Sequence, residues 1–156
     1  VSRAKREPAN IREKASMPPR PLASGTPNPP LVLIVEDEEP IAQALSFIVE
    51  DAGYTPQTAA DGVQAIALAH QRWPALVITD LMMPHMDGIA LLAALRAEAA
   101  ASGRPVPPAI VMTAASLRKA YEAGADAVLS KPFDLTDVEE LLGRFLRNQP
   151  QEAGRP

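Results

Sequence analysis

The chain contains no cysteine, which excludes a disulfide scaffold and any thiolate metal site. It has only two histidines, His70 and His85, too few to favour an imidazole-based metal centre, so a bound metal is expected to be held by oxygen. Phe, Tyr and Trp total six residues among 156, which argues against the stacking platforms that hold single-stranded nucleic acid. No stretch approaches 18 consecutive apolar residues, the minimum for a membrane-spanning helix. The N-terminus carries charge without an apolar stretch behind it, so no secretory signal is visible and a cytoplasmic location is expected.

What remains is a chain that is 47% hydrophobic, enough for one core of ordinary size but not for two. Charge is unevenly spread. Residues 1–30 carry six Lys/Arg (Arg3, Lys5, Arg6, Arg12, Lys14, Arg20) and two Glu, whereas the rest carries nine Lys/Arg and 17 Asp/Glu. From Pro18 to Pro30, "PPRPLASGTPNPP" is rich in Pro, Ser and Gly with little to bury, the composition of a disordered or polyproline-like linker. Residues 4–16 have weak helical character. The basic head reads as a solvated tail or the end of a linker in preference to a docking arm for nucleic acid or an acidic partner. The organisation expected is a tail at 1–30, a folded domain at 31–147 and a second flexible tail at 148–156.

After Pro30 the chain alternates. Apolar runs "LVLIV" (31–35), "ALVIT" (75–79), "AIVMT" (109–113) and "AVLS" (127–130) are separated by segments of helical period, the pattern of βαβ units and a parallel sheet covered on both faces. "YTPQTA" (54–59) is a poorer strand, and Pro56 confines it to a sheet edge. The first helix starts at Pro40, carries Ile41, Leu45, Ile48 and Val49 on one stripe and stops at Gly53. Asp61 caps a second helix whose inner face includes Val63, Ile66 and Trp73. A third, after Gly88, presents Ile89, Leu92 and Leu95. The fourth, Ser116 to Ala123, is short. The fifth has Asp134 as N-cap, Phe133 and Val138 as a hydrophobic staple, and Leu141, Leu142 and Phe145 inward. Five strands and five helices fit residues 31–147.

Ligands of such sheets bind beyond the carboxyl ends of the strands. Strand one runs into Glu36-Asp37, strand three into Asp80, strand four ends at Thr113, and strand five runs into Lys131-Pro132. Three carboxylates, a hydroxyl and an ammonium therefore converge on one edge. Like charges so close need a cation among them, and an all-carboxylate set suits Mg²⁺. Asp37 and Asp80 are the expected direct ligands, Glu36 acts through water, and the backbone carbonyl near Met82 completes the shell. A carboxylate in that setting is also a nucleophile toward phosphorus. Phosphoryl transfer needs charge neutralised and the group aligned; Mg²⁺, Lys131, and either the Thr113 hydroxyl or a nearby backbone N–H would take one phosphoryl oxygen each. Pro84 restrains the loop and Asp87-Gly88 turns it into the next helix. Met82, Met83 and Met86 are expected to pack under that loop. His85 is expected to face solvent, and His70 to lie late on helix two, at the surface or partly buried.

With these residues in place, Leu31 to Leu146 resembles a receiver domain of the response regulators of two-component signalling, in the company of chemotaxis and OmpR-like regulators. The matching segments are "VLIVEDEEP", "AADGVQAI", "LVITDLMMPHMDGIALLAALR", "IVMTA", "AGADAVLSKPF" and the helix after it. The resemblance implies a flavodoxin-like doubly wound sheet of order 2-1-3-4-5. It implies phosphorylation at Asp80, Mg²⁺ on Glu36, Asp37 and Asp80, Lys131 and Thr113 as phosphate contacts and switch elements, and a cis peptide before Pro132. The partners implied are a sensor histidine kinase or histidine phosphotransfer protein and an output protein. Such a domain catalyses its own phosphorylation and dephosphorylation only, without being an enzyme on a released substrate.

Two departures from the family pattern stand out. Val128 occupies the position, three before the lysine, where the family has an aromatic switch residue. Thr113 to Lys131 spans 18 positions, about four fewer than usual and close to one helical turn, so the fourth helix is expected to be shortened and OmpR-like dimerisation is not. The connection "EAAASGRPVPP" (98–108) is long, its length absorbed in a surface loop. These departures leave a binding-only receiver with a decayed switch as the alternative. An aspartyl-phosphate phosphatase fits less well, because Met82 stands where such enzymes place a second acid or hydroxyl. Only "NQPQEAGRP" follows residue 147, so a stand-alone receiver or the terminal piece of a larger protein, such as a hybrid kinase, is expected. Nucleic-acid and membrane contacts are not.

Overall fold

Three strands whose every residue is buried organise the structure, a computed structural model that describes residues 28–147. They are β1 (Leu31–Val35), β3 (Leu76–Asp80) and β4 (Ala109–Thr113). Strands covered on both faces have no solvent side to mark with polar residues, which is why they read as continuous apolar runs. β2 (Thr55–Ala59) and β5 (Ala127–Ser130) complete a parallel sheet of order β2-β1-β3-β4-β5. β2 is an edge strand in register with β1, Pro56 opposite Val32, a place where a residue without an N–H is tolerated. β3 runs one residue further than its apolar run, so that Asp80 is its last member, opposite Met112 of β4.

Successive side chains of a strand point to opposite faces, and the chain fills both. On one face Val32, Ile34, Leu76, Ile78, Ile110, Met112 and Leu129 pack against Leu45, Ile48 and Val49 of α1 (Glu39–Asp51) and Val138, Leu141 and Leu142 of α5 (Leu135–Leu142). On the other, Leu33, Val35 and Val77 meet Ala65 and Ala69 of α2 (Gly62–Gln71) and Leu91 and Leu95 of α3 (Gly88–Ser102). Val111 meets Leu92 of α3 and Ala120 of α4 (Leu117–Glu122). Each fully buried Leu or Ile contributes about 1.5–3 kcal/mol, so the two-sided core holds the strand ends rigidly. The architecture is the flavodoxin-like, doubly wound one expected, with five α-helices among the described residues. The fourth helix has only six residues, and α5 runs on into a π-helical turn, Gly143–Arg147.

Several local expectations need correction. Val63 is 56% exposed and Ile89 42%; the inner faces are carried by Ala65 and Ala69 in α2 and by Leu91, Leu92 and Leu95 in α3. The small alanines let α2 lie close to the sheet, which turns Val63 outward. Asp134 holds the N-cap position of α5, but its side chain makes no capping hydrogen bond. Residues 98–102 belong to helix, not loop: α3 continues through an alanine-rich stretch to Ser102 and ends at Gly103, whose φ of 72° is a left-handed cap that glycine adopts without strain. The connection that follows is pinned, since the Trp73 indole N–H donates to the Pro105 carbonyl at 2.9 Å and the Arg104 guanidinium lies 4.9 Å from the ring centroid. No helix among the described residues is long and apolar enough to cross a membrane. Most of the expected N-terminal tail and all of the C-terminal one lie outside the described residues.

Candidate phosphoacceptor site

The carboxyl ends of β1, β3 and β5 deliver the site. Glu36, the residue after β1, is fixed by its own backbone: its N–H donates to the Ala59 carbonyl at 3.0 Å, and the side chain is buried. Asp37 beside it is exposed. Asp80 ends β3 and is buried. Carboxylate oxygens of these three residues all lie within 4.8 Å of one another. Lys131, which follows β5, donates from Nζ to Asp80 Oδ2 at 2.9 Å and to Glu36 Oε1 at 3.2 Å. Its own N–H donates to the Thr113 carbonyl at 2.8 Å, and the Lys131–Pro132 peptide is cis.

The electrostatics follow from this crowding. Burial pushes the Glu36 carboxyl above its usual 4.5, and the neighbouring Asp80 charge adds to that; the Glu38 N–H, donating to Oε2 at 3.1 Å, and Lys131 act in the opposite direction. Burial alone would lower the Lys131 ammonium. The hydrogen bond to Asp80 and the charges of Asp80 and Glu36 outweigh it, so the group stays protonated beyond its usual 10.5. One lysine against three acids leaves the pocket two positive charges short when all three are ionised. All its donors are oxygens and there is no thiolate or imidazole in the cluster, a set that fits a hard divalent cation such as Mg²⁺.

Thr113 is buried at the end of β4, in register with Ser130. Its Oγ1 accepts from the Ala115 N–H at 3.1 Å, which orients the hydroxyl and leaves its proton to be donated elsewhere. Pro132 follows Lys131 across the cis bond. Val128 lies opposite Val111 on β5 and packs, half-buried, in the apolar cluster with Ala120 and Ala123. Tyr121 is 56% exposed and does not take the place of the absent ring.

The β3–α3 loop is clamped where it leaves the pocket. The Gly88 N–H donates to the Leu81 carbonyl at 2.9 Å, and a Cβ at Gly88 would stand 2.6 Å from the Asp80 carbonyl oxygen, so only glycine permits this close return. Asp87 caps α3 through the Ala90 N–H at 2.9 Å. Met83 and Met86 pack against the α2–α3 core, but Met82 is 73% exposed and does not pack under the loop as expected. Its side chain points to water because residues 81–87 are a loop passing over the end of the sheet. His85 is exposed, as expected, yet engaged: its Nδ1 lies 3.0 Å from Asp61 Oδ2. Nothing in the sequence marks that pairing, since the two residues stand 24 positions apart and neither spacing nor periodicity links them. His70, on α2, pairs at the surface with Glu98 of α3, Nε2 to Oε2 3.0 Å.

A doubly wound sheet of this order, with an acid trio and a lysine gathered at its carboxyl edge, defines a class: the receiver domains of two-component signal transduction. The chain belongs to it, for the response regulator receiver domain family model matches residues 32–143. It is 38% identical to the DNA-binding dual master transcriptional regulator RpaA of Synechocystis, over 74% of this chain and 47% of that protein. It spans about half the length of the curated relatives it matches. Among solved structures, chemotaxis protein CheY4 of Vibrio cholerae matches with a TM-score of 0.67 and 32% identity, covering 75% of this chain and 98% of that one. The receiver domain of a sensor histidine kinase from Pseudomonas aeruginosa, described with a magnesium ion coordinated in its active-site cleft, matches with a TM-score of 0.65 and 25% identity, covering 77% and 99%.

Proposed function

We propose that Asp80 accepts a phosphoryl group from the phosphohistidine of a sensor histidine kinase or histidine phosphotransfer protein, and that the phosphorylated domain changes its contacts with an output protein. The observation that carries this reading is the position of Lys131 Nζ, 2.9 Å from Asp80 Oδ2 within a trio of acids. An Asp80 carboxylate oxygen attacks phosphorus, the P–N bond to the donor imidazole breaks, and the imidazole leaves with the electron pair. Lys131 meets the negative charge of the incoming group, and the Thr113 hydroxyl, or a backbone N–H beside it, donates to another phosphoryl oxygen. Glu36, Asp37, Asp80 and the Met82 backbone carbonyl would hold Mg²⁺, which supplies charge neutralisation for the phosphoryl oxygens. The domain thereby catalyses its own phosphorylation and acts on no released substrate. Residues 31–147 are assigned to the receiver, with 1–30 and 148–156 as flanking segments, and a cytoplasmic location goes with this reading.

Mass spectrometry of wild type and Asp80→Ala after incubation with acetyl phosphate, in Mg²⁺ and in EDTA, tests the reading. A phosphate-sized gain is expected only in wild type with Mg²⁺. A gain that persists in Asp80→Ala, or in EDTA, would sink it.

Val128 and the six-residue α4 favour a second reading, a receiver that binds partners independently of phosphorylation. Without an aromatic ring at Val128 there is no side chain there whose rotation follows the Thr113 hydroxyl. Under this reading the amide NMR signals of α4 (Leu117–Glu122), beyond the residues that would touch the phosphoryl group, stay unchanged on phosphorylation; shifts there favour the phosphoswitch.

A further inference from the structure

The loop from Leu81 to Asp87 joins the phosphoacceptor strand to α3, and α2 holds it from outside. His85 sits in it at φ 67°, a left-handed conformation that a non-glycine residue keeps only where its surroundings fix it. Its ring Nδ1 lies 3.0 Å from Asp61 Oδ2, while the other carboxylate oxygen of Asp61 accepts from the Gln64 N–H at 2.8 Å and caps α2. One residue on, Met86 lies over Gly62, where a Cβ would meet Met86 Cγ at 2.7 Å. Two neighbouring loop residues thus engage two neighbouring residues at the start of α2. Between them the loop is folded tightly, with the Met86 N–H 2.7 Å from the Pro84 carbonyl.

We infer that the His85–Asp61 pair is a pH-graded tether that positions the loop following the phosphoacceptor, and with it the Mg²⁺ affinity of the acid pocket. The inference rests on the reading of the pocket given above. An imidazolium donates from both ring nitrogens, so the contact to Asp61 is a charge-assisted bond; a neutral ring makes it only in the tautomer that keeps the proton on Nδ1. The Gln64 N–H, and after it His85, hold Asp61 below the usual carboxylate range, so the acceptor stays charged wherever the ring titrates. Asp61 on α2 and Asp87 on the loop itself are the charged groups on the segments that meet here. Asp87 is occupied with the Ala90 N–H. The acid trio Glu36, Asp37 and Asp80 stands at the strand ends from which the loop departs.

His85→Asn tests this, because asparagine tolerates the left-handed backbone and does not titrate. Asp61→Asn is the companion, since asparagine still caps a helix but carries no charge. Hydrogen-exchange protection factors across residues 81–88, measured from pH 5.5 to 8, should be highest at low pH in wild type and fall about two- to fivefold toward pH 8, the scale of an exposed charged pair. In His85→Asn they should be low and flat. Mg²⁺ affinity, read by titration calorimetry, should differ between the two proteins most at low pH. Should Asp61→Asn loosen α2 itself, seen as lost protection at residues 64–69, His85→Asn alone decides. Equal protection and equal pH profiles in wild type and His85→Asn would overturn the tether. PH-graded protection in a wild type that takes up no Mg²⁺ would instead sink the functional reading and leave the tether standing.

Discussion

Replacing Lys131 with methionine keeps the aliphatic stem and removes the ammonium that bridges Asp80 at 2.9 Å and Glu36 at 3.2 Å. A hydrogen bond to a charged group contributes about 1.5–3 kcal/mol, and breaking a fully buried pair costs about 3–5 kcal/mol. The Lys131 and Asp80 side chains keep 19% and 12% of their exposure and Glu36 keeps 0%, so water partly resolvates the orphaned Asp80 carboxylate, and the expected loss in EDTA is about 2–3 kcal/mol. The three acids then lack the one cation that pairs with them among the described residues and should bind Mg²⁺ more tightly. A tenfold gain in affinity adds about 1.4 kcal/mol of stabilisation at saturating ion, so Mg²⁺ should recover about half of the loss. Urea unfolding followed by the fluorescence of Trp73, the sole tryptophan, measures both quantities. A loss below about 0.5 kcal/mol in EDTA, or a variant that gains no more from Mg²⁺ than wild type does, would refute the picture of Lys131 as the resident counter-charge.

Other expectations follow from single contacts. Gly88→Ala should cost at least about 2 kcal/mol in urea unfolding, because its Cβ would meet the Asp80 carbonyl at 2.6 Å in a loop with no room to yield. Leu45→Ala, in the core between α1 and the sheet, should cost about 2–5 kcal/mol without altering phosphate uptake per folded molecule; a cost below about 1 kcal/mol would mean the helix is not packed as described. The folded protein keeps the Glu36 proton above pH 4.5, so in EDTA wild-type stability should fall as pH climbs from 4.5 through the raised folded value. Glu36→Gln should flatten that slope, and an unchanged slope would show that another group titrates there.

The core strands were legible because burial on two faces forces unbroken apolar runs, and the site because strand ends are where a doubly wound sheet puts its ligands. Asp80, Glu36, Asp37, Thr113 and Lys131 stand where strand ends predicted them. Helix phase was less legible. In α2, hydrophobicity favoured Val63, whereas steric closeness to the sheet favoured Ala65 and Ala69, and only the assembled sheet decides between them. "EAAASGRPVPP" looked like a loop because of its Ser, Gly and Pro, yet its alanines continue α3 as far as Ser102. The His85–Asp61 contact was invisible because it depends on how a loop lies across a neighbouring helix, for which sequence spacing holds no signal.

Glu36 and Lys131 are 95 positions apart, and Lys131 and Asp80 51. During synthesis the acids of β1 and β3 therefore leave the ribosome long before their counter-cation does. A nascent or truncated chain that stops short of β5 presents these carboxylates without the Lys131 ammonium that bridges them in the folded domain. The charge balance of the pocket is thus completed in one late event, when the last strand docks and brings Lys131 to the two acids.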